Sequence, residues 1–194
     1  MPKVIKDVQE QILQSATELF GQHGYRSADM KMISAKTGIA VGTIYNYFPN
    51  KKNLYISVLE NSWGDTFRKL EDIRQRVDDP AAILQQTIGV LYSDMEQRTG
   101  LGKIFFRSAY EELLRDPDII DINTTIVSKV ANIFSLVRNN DDFNVNNRLA
   151  ETLMVSICVL LTAHPQEKEE NIYFLCEVAS SFMKASESLE KQLS

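Results

Sequence analysis

The sequence has few glycines and prolines, and it has no hydrophobic run long enough to cross a membrane. Among 194 residues there are 8 Gly and 5 Pro, and most of them fall at breaks between helical patterns. The longest nearly apolar run, residues 153–163, is shorter than the ~20 residues that a membrane span needs. The first 13 residues are charged and amphipathic, without the apolar centre of a signal peptide. We therefore expect a cytoplasmic protein with no membrane partner.

Cysteine and histidine are also too few and too scattered for a metal site or a catalytic group. Cys158 and Cys176 both lie in apolar helical patterns, and neither has a second ligand at metal-binding spacing. His23 and His164 have no partners at the spacing of a metal site or a catalytic triad. No phosphate loop or nucleotide fingerprint is present. The sequence predicts two reduced, buried thiols, no metal, no cofactor and no enzymatic activity.

Alternating strand patterns and hairpin turns are absent, whereas helical periodicity runs through the whole chain. We therefore predict an all-α fold, in which three N-terminal helices precede a larger helical bundle. About nine helices are expected, near residues 7–23, 29–36, 41–48, 51–77, 80–98, 101–115, 117–138, 145–163 and 167–191.

Positive charge is concentrated at the N-terminal end of an acidic chain. The formal net charge is -5, but residues 1–60 carry seven Lys/Arg and five Asp/Glu. The first 60 residues are therefore net positive and the remainder is strongly negative. This division is expected for a small anion-binding module joined to an acidic body.

The stretch TGIAVGTIYNYFPNKKNL, residues 37–54, predicts a helix-turn-helix motif. Two short helices, near residues 28–36 and 41–47, are joined by a turn that contains Gly38, and the whole motif covers about residues 28–48. Ile44 and Phe48 stand four residues apart and should face the core of this small domain. The second helix of such a motif enters the major groove of DNA.

The remaining side chains of the second helix would then face outward. Gly42 would let the backbone approach the groove closely, and Thr43 offers a hydroxyl and a methyl group to a phosphate or a thymine. Asn46 could read an adenine edge, and the tyrosines could reach phosphates. Taken singly, each of these residues is more often an ordinary packing or solvated residue, but together they favour DNA binding. The predicted DNA contacts are Lys31, Val41, Gly42, Thr43, Tyr45, Asn46, Tyr47 and Lys51.

Residues 8–60 resemble the DNA-binding domain of TetR-type transcriptional regulators. The resemblance is carried by ILQSATELFGQHGYRSADM and ISAKTGIAVGTIYNYFPNKKNLY. It implies a three-helix DNA-binding domain over residues 1–50, an effector-binding and dimerisation bundle over residues 51–194, and a homodimer. Met30 and Met32 depart from the usual pattern of the family. Beyond about residue 65 the resemblance is limited to the number and length of the helices.

The last two predicted helices are apolar over more than one face, which indicates that a second copy covers part of them. Four residues form one stripe, Leu149, Leu153, Ile157 and Leu160. The remaining circumference is mostly filled by Met154, Val155, Cys158, Val159 and Leu161. We therefore expect a homodimer through the last two helices, although a well-buried core helix of a monomer would show the same pattern.

An effector pocket would be lined by apolar and aromatic side chains of the bundle, although each of these could equally be a core residue. The candidate pocket residues are Phe67, Tyr92, Met95, Phe105, Phe106, Tyr110 and Met154.

The leading hypothesis is a ligand-responsive transcriptional regulator, most simply a repressor. Its dimer would bind a near-palindromic double-stranded DNA operator with recognition helices ~34 Å apart, and an unknown small-molecule effector would release it. The long helix that starts at Lys51 would transmit the effector signal. One alternative is a helical-bundle enzyme or small-molecule carrier with a vestigial DNA module. Another is an architectural DNA-binding protein whose bundle has no cavity.

Overall fold

The computed structural model of the chain describes residues 3–98, 115–138 and 142–193, and over these residues it is all-α. This confirms the predicted fold class. Eight of the nine predicted helices are described, and the sixth, near residues 101–115, lies outside the described residues except for its last residue. The eight helices are α1 (Lys3–Ser27), α2 (Met30–Thr37), α3 (Val41–Tyr47), α4 (Lys51–Arg76), α5 (Pro80–Gln97), α6 (Pro117–Arg138), α7 (Phe143–Ala163) and α8 (Lys168–Leu193).

The chain divides into two compact units, and the division passes through α4. The first unit consists of Met1–Asp65 with Arg98–Ile122, and the second of Thr66–Gln97 with Asn123–Ser194. The boundary predicted at residue 50 marks the break before α4. The first turns of α4 instead belong with α1–α3, because Leu54, Tyr55 and Val58 are buried and the Tyr55 ring contacts Phe20 of α1.

One glycine and two side-chain caps mark helix ends in the first unit. Gly24 interrupts α1 with a φ of 75°, a conformation that strains any residue with a Cβ. Asp29 is the N-cap of α2, where its carboxylate accepts a 2.8 Å hydrogen bond from the backbone N–H of Met32. At the start of α4, Asn50 accepts a bond of the same length from the N–H of Asn53. These caps occupy backbone donors that a helix start would otherwise leave without a partner.

The core of the first unit comes from one stripe of each short helix. Ile12, Ala16 and Phe20 repeat every four residues along α1 and are buried. Ile33 of α2 and Ile44 of α3 are each fully buried. The side chain of Lys52 at the start of α4 contacts both Asp116 and Asp118, at 3.2 and 2.7 Å. Apolar packing therefore holds the three short helices, and an ion-pair cluster joins α4 to the beginning of α6.

The second unit is organised by the packing of α5, α7 and α8. Asn171 of α8 donates to the Tyr92 hydroxyl at 2.9 Å and to the carbonyl oxygen of His164 at 2.8 Å. Asp94 is buried and accepts hydrogen bonds from Thr66 at 2.7 Å and from Lys69 at 2.6 Å. Buried polar groups therefore have partners at these positions, as stable interiors require.

Helix α6 is the one described helix that is long and apolar enough to cross a membrane by length and composition, over Pro117–Val137. A core helix of a soluble protein passes the same test, and α6 has a buried stripe of this kind. Ile126, Val130 and Phe134 stand four residues apart and are all buried. The apolar character of α6 is therefore accounted for by a core face.

Candidate nucleic-acid interface and ligand groove

The turn between α2 and α3 is closed by side-chain hydrogen bonds as well as by a glycine. Gly38 adopts a left-handed conformation, with φ 72°, and its N–H donates to the Ser34 carbonyl oxygen at 2.9 Å. The Ser34 hydroxyl donates to the Ile39 carbonyl oxygen at 2.6 Å. The Thr37 hydroxyl donates to the Ile33 carbonyl oxygen at 2.9 Å and accepts from the Ile39 N–H at 3.2 Å. This set of bonds fixes the direction in which α3 leaves α2.

The two inward residues of α3 are those that the sequence predicts. Ile44 is fully buried and Phe48 is 3% exposed. The outward residues form one continuous surface: Gly42, Thr43, Tyr45 and Asn46 are exposed, whereas Val41 and Tyr47 are half-buried. Tyr45 is 46% exposed. Four of the predicted α3 contact residues, Gly42, Thr43, Tyr45 and Asn46, are therefore accessible from outside the chain.

Gly42 has no intramolecular reason to be glycine. A Cβ added at this position would meet no heavy atom within 4 Å, and the residue lies inside a regular helix. Glycine costs a helix about 0.5–1 kcal/mol relative to alanine. Packing among the described residues therefore does not require a glycine at this position.

The two lysines predicted to bind DNA differ in their surroundings. Lys31 lies on α2 and is exposed. The Lys51 ammonium instead contacts the carbonyl oxygens of Tyr25, Arg26 and Ala28 at 2.8, 3.3 and 3.0 Å. Burial lowers the pKa of Lys51, and the nearby Asp29 carboxylate opposes that shift. In this structure the Lys51 donors therefore face backbone carbonyl oxygens, and its contact with DNA stays a prediction.

A groove of about 470 Å³ lies between α4 and α6 in the second unit. Its apolar wall is formed by Phe67, Leu70, Ile133 and Leu136, and its polar groups come from Glu71, Arg74, Lys129 and Asn132. The volume is within the range of small-molecule sites, which are mainly apolar with a few placed polar groups.

Two cations contribute to this groove in different ways. The Arg74 Nε donates to Glu71 at 2.8 Å, and hydrogen bonds from Arg74 and Gln75 lower the pKa of Glu71 to about 2. The Lys129 ammonium lies 4.4 Å from the centre of the Phe67 ring, and its side chain is exposed. The groove therefore has one cation neutralised by a carboxylate and a second that lies over an aromatic face.

Of the predicted pocket residues that the structure describes, Phe67 alone lines this groove. Tyr92, Met95 and Met154 are buried core residues of the second unit, and the Tyr92 hydroxyl is bonded to Asn171. Phe105, Phe106 and Tyr110 lie outside the described residues. The sequence analysis did not predict Arg74, Lys129 and Asn132 as groove residues. A polar or charged residue on an amphipathic helix has the same sequence pattern whether its side chain lines a groove or faces solvent.

Helices α7 and α8 carry large apolar side chains that the second unit leaves uncovered. Val155 and Val159 of α7 are 38% and 47% exposed. On α8, Tyr173 is 68% exposed and Phe174 is 55% exposed. Val178 and Phe182 continue the same exposed surface. We call these six residues the α7–α8 apolar face. Large exposed apolar patches mark interaction sites in soluble proteins.

The N-terminal region matches a family model, and the match confirms the predicted resemblance. Residues 12–58 match the model described as bacterial regulatory proteins, tetR family. The regulator YuxN of Bacillus subtilis is 31% identical over 91 residues, which is 47% of this chain and 31% of that protein. The fatty acid metabolism regulator protein of Bacillus subtilis is 34% identical over 67 residues, 34% of each chain. The alignments span about a third of the length of these curated relatives.

Solved structures are similar over nearly the whole chain but at low identity, so they show the fold alone. A tetR-family transcriptional regulator from Streptomyces coelicolor superimposes with a TM-score of 0.80 at 14% identity, covering 96% of this chain and 85% of that one. The regulator FadR from Bacillus subtilis in complex with stearoyl-CoA gives a TM-score of 0.68 at 19% identity, covering 90% and 95%. Both of these solved structures are of transcriptional regulators.

Proposed function

We propose that this chain, whose residues 12–58 match the tetR family model, is a cytoplasmic repressor of the TetR family that binds a near-palindromic operator as a dimer and is released by a small-molecule effector. The observation that carries the proposal is the outward face of α3, where exposed Gly42, Thr43 and Asn46 surround a buried Ile44. A helix fixed to its own core by one side and polar on the other suits the major groove.

The α3 face offers the chemistry that base and phosphate recognition needs. Asn46 can form a paired hydrogen bond with an adenine edge, and the Thr43 methyl can contact a thymine. The half-buried Tyr47 and the exposed Tyr45 offer hydroxyls for phosphates. Lys31 on α2 adds an exposed positive charge beside this face. We assign base reading to Asn46 and positioning to Lys31 and the tyrosines.

The dimer would form through the α7–α8 apolar face. Six large apolar side chains exposed on two adjacent helices favour a partner that buries them, because each buried side chain contributes roughly 1.5–3 kcal/mol. A second copy of the same chain can present the same face across a two-fold axis. A two-fold dimer would also bind two half-sites of one operator.

The effector would bind in the groove between α4 and α6. Apolar residues together with the Lys129 ammonium favour an anionic molecule with an apolar chain. A fatty-acyl compound has both features, and one of the similar structures holds stearoyl-CoA. A volume of about 470 Å³ would take an acyl chain with part of a head group rather than the whole of such a ligand. Release from DNA requires that the effector bind the non-operator conformation more tightly.

Selection of bound DNA from a random pool tests the proposal. A two-fold symmetric consensus with half-sites ~10 base pairs apart, or a multiple of that spacing, is expected. A single enriched half-site would contradict the dimer, and no enrichment would contradict the DNA-binding function and favour a small-molecule carrier with a vestigial DNA module. Addition of stearoyl-CoA, stearate and coenzyme A to the selected complex then separates the acyl chain from the head group.

A further inference from the structure

The Lys51 side chain reaches back from the start of α4 to the corner between α1 and α2. Beyond Gly24, the Ala28 N–H bonds the Gly24 carbonyl oxygen at 3.2 Å, so the chain makes one further turn before the Asp29 cap. The Lys51 ammonium bonds three carbonyl oxygens of this turn, those of Tyr25, Arg26 and Ala28. It therefore occupies acceptors that the end of a helix leaves without intrahelical partners.

One ring of an aromatic cluster contacts the same ammonium. Its nitrogen lies 4.4 Å from the centre of the Tyr25 ring. That ring contacts the rings of Phe20 at 6.0 Å and Tyr55 at 4.9 Å between centroids. A cation over an aromatic face, with the rest of its surroundings partly buried, is held more firmly than one in water. Lys51 therefore joins α4, the α1–α2 corner and the apolar core of the first unit.

An ammonium has three N–H donors, and three carbonyl oxygens occupy them here. A phosphate contact would require Lys51 to leave at least one of these carbonyls. We propose that Lys51 acts in DNA binding as a positioning residue: it fixes the corner from which α2 and α3 are presented, and it does not contact a phosphate. This inference rests on the proposed DNA-binding function.

The substitution Lys51→Arg separates the two roles. An arginine at a phosphate contact keeps the charge and binds the oxygens at least as well. The donors of a guanidinium lie in one plane, so they cannot all point at the three carbonyl oxygens that the compact ammonium contacts. As a positioning residue, Lys51→Arg should weaken operator binding roughly tenfold, since hydrogen bonds to a charged group are lost. The ¹³C shifts of the Tyr25, Arg26 and Ala28 carbonyls in the free protein should move as well.

The substitution Lys51→Met gives the second measurement, with Lys31→Gln as the matched control. The logarithm of affinity falls with the logarithm of salt concentration by about 0.9 for each phosphate contact. Lys31→Gln should lower this slope by about 0.9 and leave the three carbonyl shifts unchanged. Lys51→Met should weaken binding at every salt concentration and change the slope by less than roughly 0.3.

The inference is overturned if Lys51→Arg binds the operator as tightly as the unaltered chain. It is also overturned if Lys51→Met lowers the salt slope by about 0.9, the value for one phosphate contact. Failure of the underlying function is distinguishable, because the unaltered chain would then show no sequence-selective binding at all. Circular dichroism of each variant at the binding temperature confirms that the helices are formed. If Lys51→Met does not fold, the Lys51→Arg measurement decides by itself.

Discussion

The hydroxyl of Ser34 donates a 2.6 Å hydrogen bond to the carbonyl oxygen of Ile39, across the turn that joins α2 to α3. The donor lies in the last turns of α2, and the acceptor is two residues before α3 begins. The bond therefore links the scaffold helix of the motif to the start of the recognition helix. It explains how a helix of seven residues keeps a defined direction.

Removal of this hydroxyl tests how far the turn controls DNA binding. Ser34→Ala should lower the free energy of unfolding by about 1 kcal/mol, because the partly buried Ile39 carbonyl loses a donor. Operator affinity should also fall, since the direction of α3 is less restricted. Ser27→Ala, an exposed serine in the last turn of α1, is the control and should change stability by less than about 0.5 kcal/mol. Urea unfolding measures the free energy of unfolding, and fluorescence anisotropy measures the operator affinity. Equal values of both quantities for Ser34→Ala and Ser27→Ala would contradict the role of the Ser34 hydroxyl in fixing α3.

The helix boundaries and the recognition face could be predicted because they depend on local rules. Gly24, Pro80 and Pro117 interrupt or begin helices where their backbone preferences require it. The inward position of Ile44 and Phe48 follows from their four-residue spacing and from nothing distant. Local sequence therefore determines both the elements of the first unit and the face that α3 presents.

The groove and the role of Lys51 could not be predicted because they depend on distant partners. Tyr92 and Met154 have the residue types of a pocket, but the same types at helical spacing also fill a core, where the structure places them. A lysine at the start of a helix has the same sequence signal whether its ammonium meets water, a phosphate or a carbonyl oxygen. The carbonyl oxygens that the Lys51 ammonium contacts belong to the α1–α2 corner, 23 to 26 residues earlier in the chain.

A charge on the α7–α8 apolar face should prevent dimer formation. Phe174→Lys places an ammonium among the six exposed residues of this face, and burying it against a second copy would cost several kcal/mol. Sedimentation analysis should show a dimer for the unaltered chain and a monomer for the variant. Gln85→Lys adds the same charge to an exposed position of α5 and should remain dimeric. A dimeric Phe174→Lys chain would exclude this face as the interface.

Neutralising Lys129 should weaken effector binding without loss of the fold. Lys129→Met keeps an apolar stem beside Phe67 and removes the exposed cation of the groove. The affinity for stearoyl-CoA or stearate, measured by calorimetry, should fall about tenfold, as expected for loss of a charge-assisted contact. Arg148→Met, which removes an exposed cation from α7, should bind as the unaltered chain does. Equal affinities in all three proteins would show that the negatively charged group of the ligand does not bind at Lys129.

Burial should also keep Cys158 unreactive over the whole neutral range. Desolvation raises the pKa of its thiol to about 11, so the reactive thiolate is a very small fraction at pH 8. Because the folded pKa lies above its ordinary value, alkylation of the native chain by iodoacetamide should accelerate only as the pH approaches 11. Mass spectrometry of native and urea-unfolded chains measures the difference. Rapid labelling of native Cys158 at pH 8 would contradict the buried environment of α7.

Gly42 offers the sharpest separation of stability from function. Gly42→Ala should raise the free energy of unfolding by about 0.5–1 kcal/mol, because alanine favours the helix and its Cβ meets no atom of the chain. The same methyl group would stand between α3 and the DNA surface, so operator affinity should fall while the salt slope stays constant. Thr43→Ala at the next position is the comparison, since it shortens a side chain where Gly42→Ala lengthens one. If Gly42→Ala stabilised the protein and left operator binding intact, the prediction that DNA closely approaches α3 at this residue would be wrong.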